Sequence, residues 1–152
     1  MPDSAALSKL HVLIVDDDLM YLDMLAGMLA TIGITHVSRA DCGAHALEAL
    51  ADRSKAVDCV ISDYKMSNGS GLALLQNVRM GRAKSLRPDS CFVLLTGSGD
   101  TEVVKLAARL DVSGYLIKPV SAEKLQATIE RARARVFPLD FKKYAEVVVP
   151  EA

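Results

Sequence analysis

Residues 10–20 read LHVLIVDDDLM. Five of the first six are apolar, the pattern of a short strand covered on both faces. Three aspartates then arrive together, Asp16, Asp17 and Asp18. Like charges side by side repel one another and favour protonation of at least one member unless a cation lies close. The rest of the chain must supply that cation.

Further apolar, β-rich runs follow the first. Strands are expected at 10–15, 36–40, 59–62, 92–95 and 115–117, and those near 10, 59 and 92 are almost continuously apolar. Between them the spacing is helical. Leu22, Leu25, Leu29 and Ile32 form one stripe, and Ala46, Leu47 and Leu50 a shorter one. Leu74, Leu75 and Val78 form the third, and Val104, Ala107 and Ala108 the fourth. The fifth holds Leu125, Ile129, Ala132 and Val136, after Ser121 as an expected N-cap. Strand followed by helix, five times over, predicts an α/β fold: a doubly wound, five-stranded parallel sheet with five helices on its two faces. Right-handed crossovers then bring all strand C-terminal ends to one edge, where such sheets bind ligands.

The residues at those ends share a chemistry. The first strand ends at Asp16, Asp17 and Asp18, the third at Asp63, the fourth at Thr96, and the fifth at Lys118 followed by Pro119. Carboxylates from two strands suit a hard divalent cation such as Mg²⁺ (or Mn²⁺), which prefers oxygen ligands. The ion, the Lys118 ammonium and the Thr96 hydroxyl would together neutralise a phosphoryl group, leaving one carboxylate as a nucleophile.

Composition fits this frame and narrows the alternatives. The chain has 152 residues, long enough for one domain with a real core, and is 51% hydrophobic and 24% charged. A net charge of −1 gives no global attraction to nucleic acid or anionic membrane. The apolar runs are too short to span a bilayer, and MPDSAALSK lacks the flank and apolar stretch of a signal peptide, so a cytoplasmic location is expected. Cys42, Cys59 and Cys91 lack metal-ligand spacing, as do His11, His36 and His45. Cys59 and Cys91 lie in or beside apolar runs and are expected as buried thiols.

The segments VLIVDDD, ISDYKMSNGSGLALL, FVLLTGSGD and SGYLIKPV, in that order, resemble the receiver domain of bacterial two-component response regulators. The resemblance covers about residues 9–136 and leaves 137–152 as a tail. It implies a flavodoxin-like sheet of order 2-1-3-4-5. It implies that Asp63 is the phosphoacceptor, attacking the phosphorus of a phosphohistidine on a sensor histidine kinase or histidine phosphotransfer protein. Asp16 and Asp17 would be the acidic pair around Mg²⁺, with Asp63 and the backbone carbonyl of Lys65 as further ligands. Lys118, before a cis Pro119, and Thr96 would bind the phosphoryl group, and Tyr115 would be an aromatic switch coupled to Thr96. Asp18 matches no family ligand and is expected to cap the first helix.

Two positions that vary in the family, Lys65 and Ser98, would tune the phosphoryl lifetime, with slow self-dephosphorylation expected from Lys65. Phosphorylation would switch the face formed by helix 4, strand 5 and helix 5, which then binds an output protein or a second copy of the chain. No DNA-binding module fits the tail, so output by protein contact, without direct nucleic-acid or membrane binding, is expected. This reading describes a phosphoacceptor signalling protein that assists its own phosphorylation and dephosphorylation, not an enzyme in turnover. Two rivals are a haloacid-dehalogenase-like phosphatase, in which Asp16 and Asp18 form the catalytic pair, and an adaptor that kept the fold without phosphorylation. The connection 79–90, with Arg79, Arg82, Lys84 and Arg87, reads as a solvated basic link. The tail, between Pro138 and Pro150, could pack back, add a strand through 147–149 or stay disordered.

Overall fold

A computed structural model describes residues 7–97 and 101–150. Strand and helix alternate as β1 (His11–Val15), α1 (Leu19–Thr31), β2 (His36–Ala40), α2 (Gly43–Leu50), β3 (Cys59–Asp63), α3 (Gly71–Arg79), β4 (Cys91–Thr96), α4 (Thr101–Arg109), β5 (Gly114–Ile117), α5 (Ala122–Ala134) and a short α6 (Phe141–Glu146). The five strands form one parallel sheet in the order β2-β1-β3-β4-β5. This is the expected fold, with each strand displaced from its expected bounds by at most a residue or so.

The period-two alternation of each strand sends its side chains into two separate cores. Leu13, Val15, Val60, Phe92 and Leu94 face α2, α3 and α4. Val12, Ile14, Ile61, Val93 and Leu95 face α1 and α5, with Cys59 and Cys91 buried opposite one another in register. The predicted stripes of α1, α2 and α3 supply their faces of these cores through Leu22, Leu25, Leu29, Ala46, Leu50, Leu74, Leu75 and Val78. Two stripes need correction. α4 buries Val103, Leu106 and Ala107, so its stripe is turned by one residue and Val104 is exposed. Val136 lies beyond the end of α5 and is fully in solvent. Asp18, Ser70 and Ser121 are N-caps, each accepting from N–H groups in the first turn of its helix.

Arg79 overturns the expectation of a solvated basic link. It is fully buried. Its guanidinium donates to the carbonyls of Leu110, Asp111, Pro88 and Ser90 and to the Ser113 hydroxyl, at 2.7–3.2 Å. It thereby ties the end of α3 to the entry of β4 and the turn before β5. Burial pulls the Arg79 pKa down to about 10, against the opposing pull of Tyr144 and Asp111, so the group stays charged at neutral pH.

The tail packs back as a helix. Tyr144 and Val147 are buried against the α3 side of the core, and the Gln76 amide donates to both of their carbonyls at 2.8 Å. Among the described residues of the tail, 147–150 form no strand.

Candidate functional site

The C-terminal ends of β1, β3, β4 and β5 meet at one rim, as the topology requires. Asp16 follows β1 and is 1% exposed, and Asp63 closes β3 at 7%. Thr96 closes β4 and is buried, and its carbonyl accepts the Lys118 N–H at 2.7 Å, carrying the β4–β5 pairing one step past β5. The loop 64–70 brings the start of α3 back against the end of β3, and Gly71 allows that approach because it has no side chain. A Cβ there would lie 2.3 Å from the Asp63 carbonyl oxygen.

Lys118 is the missing cation. Its ammonium donates to Asp16 Oδ2 at 2.9 Å and lies 3.3 Å from Asp63 Oδ1. The Lys118–Pro119 bond is cis. Burial alone would lower the Lys118 pKa, but the hydrogen bond to Asp16 and the attraction of both carboxylates outweigh it and raise it. Burial pushes Asp63 the other way. Lys118 pulls its pKa down, Asp16 and Asp17 push it up, and the balance rests at about 6. Asp63 is therefore a mostly ionised but poorly solvated carboxylate at neutral pH, the condition of an available nucleophile.

Carboxyl oxygens of Asp16, Asp17 and Asp63 lie within 4.8 Å of one another. Asp17 is exposed and accepts the Ser67 N–H at 3.3 Å, which ties it to the loop after Asp63. Among the described residues, three carboxylates face a single ammonium, leaving a net negative pocket of oxygen donors. That donor set fits a hard divalent cation.

Asp18 stands apart from this cluster. Its carboxylate accepts the Met20 and Tyr21 N–H groups at 3.0 and 3.3 Å, and its own N–H donates to Asp16 at 2.8 Å. Lys65 is exposed beside the site. Tyr115 is half-buried against the core on the α3 and α4 side, with its hydroxyl oxygen shielded from solvent. Ser98 lies outside the described residues.

Sequence reasoning missed one member of the rim. Tyr21 sits in the first turn of α1, and the Lys118 ammonium lies 3.9 Å from its ring centroid. Burial raises the Tyr21 pKa while Lys118 opposes it. Its signal was present, because Tyr21 stands four residues before Leu25 and so lies beside Leu22 on the buried face, at the end of α1 nearest the strand ends.

The family model for the response regulator receiver domain matches residues 12–130. The chain belongs to the response regulator receiver family. A probable chemotaxis protein CheY of Rhizobium etli is 32% identical over 122 residues, covering 80% of this chain and 91% of the relative. The transcriptional regulatory protein ZraR of Escherichia coli K12 is 31% identical over 132 residues, covering 87% of this chain but 28% of the relative. The chain thus spans little more than a quarter of ZraR. Among solved structures, the chemotaxis protein CheY4 of Vibrio cholerae superposes with a TM-score of 0.70 at 27% identity, covering 81% of this chain and 98% of that one. A response regulator receiver domain protein from Clostridium thermocellum gives 0.72 at 28% identity, covering 81% and 93%. Among the described residues of this receiver, no helix is long and apolar enough to cross a membrane.

Proposed function

We propose that this receiver, residues 9–136 with the tail strapped to it, is a phosphorylation-controlled switch in which Asp63 takes a phosphoryl group from the phosphohistidine of a partner. The partner is a sensor histidine kinase or a histidine phosphotransfer protein. The single observation that carries the reading is the Lys118 ammonium shared between Asp16 and Asp63, one carboxylate on each of two neighbouring strands. Asp63 attacks the phosphorus, the phosphorus–nitrogen bond to the donor imidazole breaks, and the imidazole leaves with its electron pair. Lys118 lies close enough to Asp63 to follow the new charge on the phosphoryl oxygens, and Thr96 supplies a hydroxyl from the adjacent strand end. Asp16, Asp17, Asp63 and the Lys65 carbonyl would hold Mg²⁺ (or Mn²⁺), which when bound neutralises phosphoryl charge that Lys118 alone does not.

Phosphorylation then draws Lys118 and Thr96 towards Asp63 and biases Tyr115, two residues before Ile117, at the face of α4, β5 and α5. That face carries exposed Val104 and Ile117, apolar groups suited to an output protein or a second copy of the chain. Such output works by protein contact in the cytoplasm, without turnover of a substrate. Lys65 and Ser98 tune the lifetime of the phosphoryl group. Against the phosphatase alternative stands Asp18, whose carboxylate caps α1.

Incubation with acetyl phosphate and Mg²⁺, followed by intact mass, tests the proposal. One phosphoryl adduct on the wild type and none on Asp63→Asn is expected. An unmodified wild type would support the adaptor reading, and phosphate release surviving Asp63→Asn would support a phosphatase.

A further inference from the structure

The turn from β2 into α2 gathers three side chains that the acidic rim does not use. Asp41, Cys42 and His45 offer a carboxylate oxygen, a thiol sulfur and a ring nitrogen, all within 4.8 Å of one another. Asp41 Oδ1 and His45 Nδ1 are in direct contact. The Cys42 sulfur accepts the His45 N–H at 3.4 Å and the Asn68 side-chain amide at 3.7 Å. Cys42 is buried, whereas the side chains of Asp41 and His45 are 54% and 55% exposed. The sulfur is the floor of a shallow cup, and the carboxylate and imidazole are its rim.

As helix-capping chemistry this cup is a poor choice twice over. Cysteine is not among the favoured N-caps, and serine in its place would do the task better. A histidine in the first turn sits at the end of the helix where positive charge is disfavoured. Local choices that break such rules at one spot point to a demand other than folding.

The donor set names that demand. Thiolate, imidazole and carboxylate brought together in one turn of chain are ligands for a borderline ion of the zinc class, unlike the rim of oxygen donors around Asp63. Three protein ligands with one open side leave a fourth position for water. The charges close as well. A carboxylate and a thiolate balance a divalent ion, and both anions lie at the helix end that favours them. The two N–H donors already on the Cys42 sulfur are the outer contacts that orient such a ligand.

We propose that Asp41, Cys42 and His45 form a binding site for a zinc-class divalent ion, independent of the phosphorylation reading. Binding would release the thiol proton to solvent and form a sulfur–metal bond. The site abuts the loop that follows Asp63. Asn68 reaches the sulfur, its carbonyl accepts the Ala44 N–H at 3.2 Å, and a Cβ on Gly43 would stand 2.7 Å from the Gly69 oxygen.

Co²⁺ is the probe, added to the full chain in excess Mg²⁺ so that the rim of oxygen donors is not competing for it. A sulfur-to-cobalt charge-transfer band is expected, displaced by Zn²⁺, because only a thiolate ligand produces it. Cys42→Ser should abolish the band while keeping the fold, since serine caps helices well, and circular dichroism checks the fold. His45→Ala, at an exposed position, should weaken Co²⁺ binding roughly tenfold or more while leaving the thermal transition in place. A wild type without the band, a band that survives Cys42→Ser, or unchanged affinity in His45→Ala would overturn the proposal.

Discussion

The Lys118 ammonium lies 3.9 Å from the centroid of the Tyr21 ring, so the lysine that bridges the two buried carboxylates is also held from a third side. The contact joins α1 to the end of β5 across the rim. A cation over an aromatic face gains about 0.5–1 kcal/mol at partly exposed sites. Tyr21→Ala is therefore expected to slow phosphorylation by acetyl phosphate roughly two- to fivefold. Tyr21→Phe keeps the ring face and should stay near wild type, which separates positioning of Lys118 from any role of the hydroxyl. Equal loss in both variants would refute the clamp.

Asp63 is held at a cost to stability. Its pKa rises from 3.8 to about 6, first because burial disfavours the charge and then because Asp16 and Asp17 repel it. The native state thus binds the proton more tightly than the unfolded chain, and stability contributed by the protonated group is lost as pH rises from about 4 to 6. Asp63→Asn removes that loss. In metal-free buffer at pH 7 it should be more stable than wild type by on the order of 1–3 kcal/mol. Urea denaturation should show the difference growing across that window and then levelling off. A difference that is constant with pH would show that the Asp63 charge is not its source.

Arg79 is the opposite case, a buried charge that stabilises because every direction is answered. Its donors serve four carbonyls and a hydroxyl drawn from two segments, the entry of β4 and the turn before β5. Arg79→Leu leaves those carbonyls buried without donors and should cost roughly 3 kcal/mol or more. Arg79→Lys cannot reproduce the planar fork and should lose most of the same stability. Both variants, while folded, should still accept a phosphoryl group, because no Arg79 contact reaches the rim. Urea midpoints and intact mass together check this.

The contrast between Arg79 and Asp63 explains what was legible in the sequence. Sheet and rim follow from apolar runs broken at regular intervals and from the residues at their ends, whereas the strand order comes from the family resemblance that the motifs carry. Asp16, Asp17, Asp63, Thr96 and Lys118 were found because they terminate strands, and strand ends meet by topology alone. Arg79 was misread because nothing in a run of basic residues tells which one turns inward, and that depends on a carbonyl 32 residues away. The cluster of Asp41, Cys42 and His45 escaped for another reason. Metal-site spacing rules pair cysteines with cysteines and histidines with histidines, whereas this cluster mixes three residue types. The α4 stripe slipped because Val103 and Val104 are adjacent and equally apolar, so one turn of helix does not choose between them.

The tail supplies the last test. Tyr144 is fully buried, and its hydroxyl donates to Asp111 Oδ2 at 2.6 Å, an oxygen that also accepts from Lys143 at 3.1 Å. Burial and then the Asp111 carboxylate raise its pKa from 10.0 to about 12. The native state therefore keeps the phenol proton where the unfolded chain has lost it. The associated stability is fully present below about pH 10 and is lost as pH climbs towards 12. Tyr144→Phe removes a hydrogen bond to a charged acceptor and should cost about 1–3 kcal/mol at pH 7. It should also lack the Tyr144 contribution to the alkaline fall, so the two stability curves converge above pH 10. Curves that stay parallel from pH 8 to 12 would show that the hydroxyl of Tyr144 does not anchor the tail through Asp111.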